Sequence, residues 1–254
     1  MVDTMLEINK LDKYFGGLKA LEKVSFSVGN GIIKGLIGPN GAGKTTLFNT
    51  LCGVYKANGG TIEYKRNKIQ GVTAHQIANM GIARTFQIAR PFMDMTVIEN
   101  VLVGLGKDYY QGFLSLFNIS YKDIHLKKAR EILEMVELDE FAEEEAGDLS
   151  LGYKRRLGIA RALALSPEIL MLDEPLAGLG TDAINYMLEL ILRLKEDGMT
   201  IIIIEHNMDA IMKICDEIVV LNQGKKIAEG LPEEIQNNKE VIEAYLGKEE
   251  GKDA

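Results

Sequence analysis

The chain has 254 residues, with 29 Lys plus Arg against 37 Asp plus Glu for a formal net charge of −8, and 46% of it is apolar. A chain of this length and composition buries a full core and is not disordered, and its acidic balance excludes the global basic footprint of a nucleic-acid binder. Cys52 and Cys215 are too few and too distant in sequence for a disulfide framework or a zinc site, and they read as two small buried hydrophobes in a reducing cytosol.

From the start, Met5 to Lys10 and Leu21 to Val28 alternate apolar and polar side chains, which predicts edge strands with one wet face. Between them lies Tyr14-Phe15-Gly16-Gly17. On sequence alone, an aromatic on such a loop reads as a surface anchor or core plug ahead of a base-stacking platform. Asn9 to Asp12 spells Asn-Lys-Leu-Asp, the letters of a guanine-reading motif. It precedes the phosphate-binding loop described next and falls in a strand, so that reading is rejected.

An apolar run, Ile32 to Ile37, leads into Gly38-Pro39-Asn40-Gly41-Ala42-Gly43-Lys44-Thr45-Thr46. This is G-x-x-x-x-G-K-[ST] between a strand and a helix, the context that identifies a P-loop. The glycines let the backbone turn its N–H groups inward, a helix starting near Gly43 adds its positive end, and Lys44 reaches the terminal phosphates. Thr45 is placed to ligate Mg²⁺. A Gly-rich loop that binds nothing does not account for the spacing, the lysine and both flanking elements together.

Asn58-Gly59-Gly60 predicts a turn, Thr61 to Tyr64 a short strand, and Thr73 to Met80 a short helix ended by Gly81. Beyond Arg84-Thr85-Phe86-Gln87 the periodicity becomes helical. Thr96 with Glu99 forms a capping box opening a helix through Val103. A second helix, from about Lys122 to Leu138, carries Ala129, Ile132, Leu133 and Val136 on one face. Gly104 to Ser120 has no period and reads as a surface loop. Glu143, Glu144, Glu145 and Asp148 form an acidic run read as a solvated face.

Ser150 is an N-cap candidate for a helix with Leu157, Ala160 and Leu163 or Ala164 inward, and its free N-terminus suits an anion. Pro167 ends that helix. Ile169 to Leu172 then reads as a strand buried in a parallel sheet, running into Asp173 and Glu174 at its carboxyl end, where ligands gather. With a P-loop present, Asp173 is placed to hold Mg²⁺ and Glu174 to orient and deprotonate an attacking water. A helix from Thr181 to Glu196 and a second buried strand, Thr200 to Ile204, lead to His206, placed to donate to the γ-phosphate or the water. His75 and His125 lie in ordinary helical contexts. Ile218 to Leu221, the Asn222-Gln223-Gly224 turn and Lys225 to Glu229 predict a hairpin, and two short helices close the chain near Leu246. No apolar run approaches the about 18 residues of a spanning helix, and Met1 to Lys10 lacks the build of a signal peptide. The chain is expected to be soluble, or to meet a membrane only through a partner.

Taken together, Gly38 to Thr45, Gln87, Leu149 to Tyr153, Ile169 to Glu174 and His206 resemble, in this order, the Walker A, Q-loop, signature, Walker B and switch histidine of the ATP-binding subunits of ABC transporters. The resemblance covers nearly the whole chain. It implies an α/β fold: a P-loop core with a mostly parallel sheet, N-terminal antiparallel strands and an inserted helical subdomain. Residues 1–87 and 165–254 would form the nucleotide-binding core and about 88–164 the helical subdomain. The resemblance reverses the reading of the aromatics, making Phe15 the adenine-stacking position, with Tyr14 the fallback. It also implies that Gln87 ligates Mg²⁺ and senses the membrane partner. Ser150 and Gly152 would contact the γ-phosphate of ATP held by a second copy, so that two chains sandwich two nucleotides.

Phe15-Gly16-Gly17, Arg84 to Gln87, Met95 to Asn100, Ala177-Gly178-Leu179 and Glu243 to Gly247 look like the ATPase subunits of branched-chain amino-acid importers. The implied partners are a second ATPase subunit, transmembrane permeases and, indirectly, a substrate-binding protein. The implied location is the cytoplasmic face of the membrane. A lipopolysaccharide-export ATPase is the competing reading, since it is similar at the tail and at Ala177-Gly178. A soluble ABC ATPase acting on nucleic acid or ribosomes and a P-loop kinase fit less of the chain. Two departures stand out: Leu151 and Tyr153 replace a glycine and a glutamine of the usual signature, and Gly180 occupies the place of the D-loop aspartate.

Overall fold

The computed structural model describes residues 3–85, 91–106 and 119–246, the last block without the side chains of 119–122 and 246. Chain order begins with strands β1 (Thr4–Phe15), β2 (Leu18–Gly29) and β3 (Ile33–Ile37), helix α1 (Lys44–Leu51), strands β4 (Gly59–Tyr64) and β5 (Asn67–Lys68), helix α2 (Ala74–Asn79) and strand β6 (Ile82–Arg84). Helices α3 (Val97–Leu105), α4 (Ile119–Met135) and α5 (Leu151–Leu163) follow. The remainder alternates: β7 (Ile169–Asp173), α6 (Thr181–Glu196), β8 (Thr200–Ile204), α7 (Met208–Ile214), β9 (Glu217–Asn222), β10 (Lys225–Gly230), α8 (Pro232–Gln236) and α9 (Lys239–Leu246).

Strands β2-β1-β4-β5 form an antiparallel sheet in that order. β1 is therefore interior, paired on one side with β2 and on the other with β4, which corrects the expectation that both early strands are edges. The alternation reports only that one face is wet; it cannot report what pairs with each edge. Gly59 and Gly60, expected in a turn, open β4 instead.

The second sheet runs β10-β9-β3-β8-β7-β6, parallel except for β10. Every residue of β3, β7 and β8 is buried, as a sheet covered on both faces requires. The period of two divides these strands between two cores. Ile169, Met171, Ile202 and Ile204 join α1 and the antiparallel sheet in one cluster, and Leu170, Leu172, Ile201 and Ile203 join the helices in the other. β6 was not anticipated. Three residues carry no readable period, yet Ile82, Ala83 and Arg84 pair with Ile169, Leu170 and Met171 and so bring Arg84 to the end of β7.

The expected capping box is present: Thr96 Oγ1 accepts from Glu99 N, and Glu99 Oε2 accepts from Thr96 N. Ala129, Ile132, Leu133 and Val136 are all buried, while Glu143, Glu144, Glu145 and Asp148 are exposed. Gly104 and Leu105 belong to α3, and Ile119 and Ser120 to α4, so the expected loop is shorter at both ends. Glu137 ties this region together, accepting from Arg156 on α5 and Arg193 on α6. No helix among the described residues is long and apolar enough to cross a membrane.

Candidate active site

The loop between β3 and α1 is shaped by close approaches that exclude side chains. Gly38 has φ 148°, and a Cβ there would stand 2.1 Å from Leu221 O. Gly43, at φ 102°, caps α1, and its Cβ would stand 2.7 Å from Ala20 O. Only glycine meets both demands. Lys44 Nζ, almost fully buried, donates to Gly38 O at 2.6 Å and to Pro39 O at 3.1 Å. The loop is fastened from outside as well. Gly224, in the β9–β10 turn, donates to Ala42 O, and its own carbonyl accepts from Glu22 N on β2. The amides of Thr45 and Thr46 lie in the first turn of a helix, where the N–H groups point away from its carbonyls, so they suit an anion.

Above this loop lies a cavity of about 460 Å³. It is lined by Asn40 to Thr46, by Glu174 and His206, and by Phe15, Leu18, Lys19, Ala20, Gln223 and Gly224. Phe15 is 42% exposed, and its ring meets Tyr55 edge-on with centroids 5.2 Å apart at 81°. The amides at the start of α1 and an open aromatic ring therefore share one cavity.

Glu174 and His206 follow the ends of β7 and β8. Glu174 has φ 50° and donates its N–H to Ile204 O, so the chain leaves the strand by a left-handed step that separates its carboxylate from that of Asp173. Glu174 Oε1 and His206 Nε2 are 2.9 Å apart. Asp173 lies behind them, 1% exposed. Its Oδ2 accepts from Arg84 Nη2 at 2.6 Å, its N–H donates to Thr85 Oγ1, and Arg84 Nη1 donates to Asn49 Oδ1 of α1 at 2.6 Å. Asp173 Oδ1 is buried with no hydrogen-bond partner among the described residues.

Glu205 is a buried carboxylate whose Oε1 accepts from Leu176 N at 2.7 Å and whose Oε2 accepts from His206 N at 3.1 Å. Burial pushes its carboxyl above the ordinary range, against the pull of backbone bonds from Leu176, His206 and Asn207. It locks the segment after Glu174 to the segment holding His206. At the other end of that segment, Arg155 Nη2 donates to Ala177 O. Near the chain's end, burial raises the Tyr245 phenol, against the pull of the Gly38 backbone.

Among the residues singled out from sequence, Phe15, Asn40, Gly41, Ala42, Gly43, Lys44, Thr45, Thr46, Glu174 and His206 gather at the cavity, while Gly38 and Pro39 sit beneath it as acceptors of Lys44. Ser150 and Gly152 do not line it. Ser150 is exposed and caps α5, accepting from Tyr153 N, and Gly152 faces Ala183 of α6. Gln87 lies outside the described residues. Sequence reasoning missed Leu18, Lys19, Ala20, Arg84, Glu205, Gln223 and Gly224 as site residues. Of these, Gln223 and Gly224 carried the signal of a turn and Arg84 stood in a stretch that resembles the family, but nothing local says which loop a turn will touch or which carboxylate an arginine will meet.

The family model described as ABC transporter matches residues 21–177, and one described as branched-chain amino acid ATP-binding cassette transporter matches residues 225–251. The chain is 46% identical to the high-affinity branched-chain amino acid transport ATP-binding protein LivG of Salmonella typhimurium, over 97% of this chain and 99% of that one. It is 44% identical to the corresponding protein BraF of Pseudomonas aeruginosa, over 96% and 98%. Among solved structures, the ADP conformation of MJ1267, an ATP-binding cassette of an ABC transporter, superposes with a TM-score of 0.85 at 34% identity, covering 96% of this chain and 99% of that one. The motif order, the cavity and these likenesses agree, and the chain belongs to the ABC transporter family as an ATP-binding ATPase subunit grouped with the branched-chain amino acid transport ATP-binding proteins.

Proposed function

We propose that ATP hydrolysis in this cavity powers import of branched-chain amino acids through permease subunits to which the chain docks at the cytoplasmic face of the membrane, with a substrate-binding protein delivering the cargo. The observation that carries the reading is the Glu174–His206 pair opening onto the cavity lined by the loop of Lys44. The subunit's likeness to LivG and BraF along its length supports the cargo class.

In the proposed cycle the adenine stacks on Phe15 and backbone amides of the loop, among them those of Gly43, Thr45 and Thr46, hold the phosphates, with the Lys44 ammonium neutralising their terminal charge. Water attacks the γ-phosphorus, the bond to the β,γ-bridging oxygen breaks, and Glu174 takes the water proton, leaving ADP and inorganic phosphate. His206, whose Nε2 stands beside Glu174 Oε1, donates its N–H toward the γ-phosphate once ATP is bound. Ser150 and Gly152 of a second copy cap the same phosphate, so two chains close around two nucleotides and reopen after hydrolysis. Residues 1–87 and 165–254 bind nucleotide, and the stretch 88–164, acting as a helical lobe, relays the change to the permeases.

Asp173 Oδ1, buried without a hydrogen-bond partner among the described residues, and Thr45, in the first turn of α1, are the donor chemistry a small divalent cation takes, and Gln87 joins them in this reading. Mg²⁺ held there would neutralise charge developing on the phosphate oxygens.

The test is Glu174→Gln in the full chain. It should bind ATP, lose turnover and run as a dimer on size exclusion with ATP; hydrolysis at the parent rate removes Glu174 from its role. Leucine uptake into proteoliposomes holding the whole transporter tests the cargo separately, and absent uptake with intact ATPase activity leaves only the motor.

A further inference from the structure

Phe15, which lines the cavity, is held by side chains to which the hydrolytic cycle gives no part. Phe15 ends β1, and neither its own strand nor the turn at Gly16-Gly17 explains how its ring is held. Tyr55, in the segment leaving α1, meets the ring edge-on at 81°. Lys13 Nζ stands 4.8 Å from the Phe15 centroid and 5.6 Å from that of Tyr55, in the corner between the two rings. That ammonium is itself anchored, donating to Lys56 O at 3.0 Å, and Asn58 Oδ1 accepts from Tyr14 N at 2.8 Å. Residues 55–58 thus grip the end of β1 at three points.

We propose that Tyr55 and Lys13 are positioning residues for the nucleobase, fixing the Phe15 ring and closing one of its faces so that a base stacks only on the other. This rests on the reading of Phe15 as the base platform. Two physical arguments support it. An exposed phenylalanine ring has several rotamers, and holding one of them before the ligand arrives removes an ordering cost from binding. A cation seated over one face is attracted by the ring quadrupole and occupies that face, leaving the face toward the cavity. Because the gripping segment continues directly from α1, whose first turn faces the phosphates, base and triphosphate are registered to the same element.

Calorimetric titration of the full chain with ATP and with tripolyphosphate, which has phosphates but no base, tests the proposal. Tyr55→Ala and Lys13→Met should each weaken ATP about threefold to tenfold, the range of one aromatic or cation–π contact, and leave tripolyphosphate unchanged. Tyr55→Phe should behave as the parent, because only the ring is used. In a Phe15→Ala background, Tyr55→Ala should cause no further loss. Equal weakening of both ligands, or a Tyr55→Phe variant as weak as Tyr55→Ala, overturns the proposal. If Phe15→Ala weakens ATP while Tyr55→Ala and Lys13→Met do not, the positioning role falls and the platform stands. If Phe15→Ala itself leaves ATP binding unchanged, the platform reading falls, and this inference with it.

Discussion

His206 Nε2 stands 2.9 Å from Glu174 Oε1, each residue carried just past the end of one of two adjacent parallel strands, β8 and β7. The pairing Asp173↔Ile204 sets the register of those ends, so the contact follows from sheet geometry rather than from a flexible loop. His206→Ala should lower kcat on the order of 10²-fold, the cost of losing one preorganised donor at the reacting phosphate. ATP affinity should stay near that of the parent. Steady-state ATPase assays beside equilibrium ATP titrations check this, and a matched loss in affinity would move His206 from the chemistry to binding.

Arg84 binds Asp173 and Asn49 at once, joining β6, β7 and α1 in a nearly dry environment in which the two charged side chains are 12% and 1% exposed. Arg84→Met strands a buried carboxylate and should destabilise the fold by about 3–5 kcal/mol. Combining it with Asp173→Asn should return part of that loss, because no buried charge remains. Urea unfolding of the single and double variants reads both effects.

Glu205 offers one carboxylate oxygen to each of two backbone N–H groups. In Glu205→Gln one of those oxygens becomes an amide that cannot accept, leaving a buried N–H unpaired at a cost of about 1–3 kcal/mol. The folded carboxyl titrates above the ordinary value of 4.5, so the stability it contributes is full below that value and is lost as pH rises through the elevated one. The stability gap between parent and variant should therefore be largest in acid and narrow toward neutrality. Unfolding curves across that window check the sign, and a gap that widens with pH contradicts it.

Burial pushes the Cys52 thiol up to about 11 and the Cys215 thiol up to about 12. Both stay protonated in the native protein at neutral pH, and the thiolate is the reactive form. Iodoacetamide at mildly alkaline pH should leave the folded chain unlabelled and modify both cysteines once it is denatured, as mass spectrometry will show. Since the folded values lie above the ordinary 9.0, stability is undiminished below that pH and declines as pH rises toward 11 and 12.

The sequence by itself determined whatever depends on neighbours along the chain. The Gly38-to-Lys44 spacing, the Thr96–Glu99 box, helix Thr181–Glu196 and strands Ile169–Asp173 and Thr200–Ile204 were all legible, because turn geometry, capping and burial on both sheet faces leave their mark within a few residues. The order of these motifs also carried the family. Only the tertiary structure decided that β1 is interior, that three residues before Thr85 form a strand, and that Arg84 meets Asp173 across 89 positions of chain. It alone brought Gly224 to Ala42 and Tyr55 to Phe15. Such contacts are made by single side chains or amides meeting across sheets and turns. A lone arginine, tyrosine or glycine has no period, so nothing in its own neighbourhood along the chain names the partner it will find.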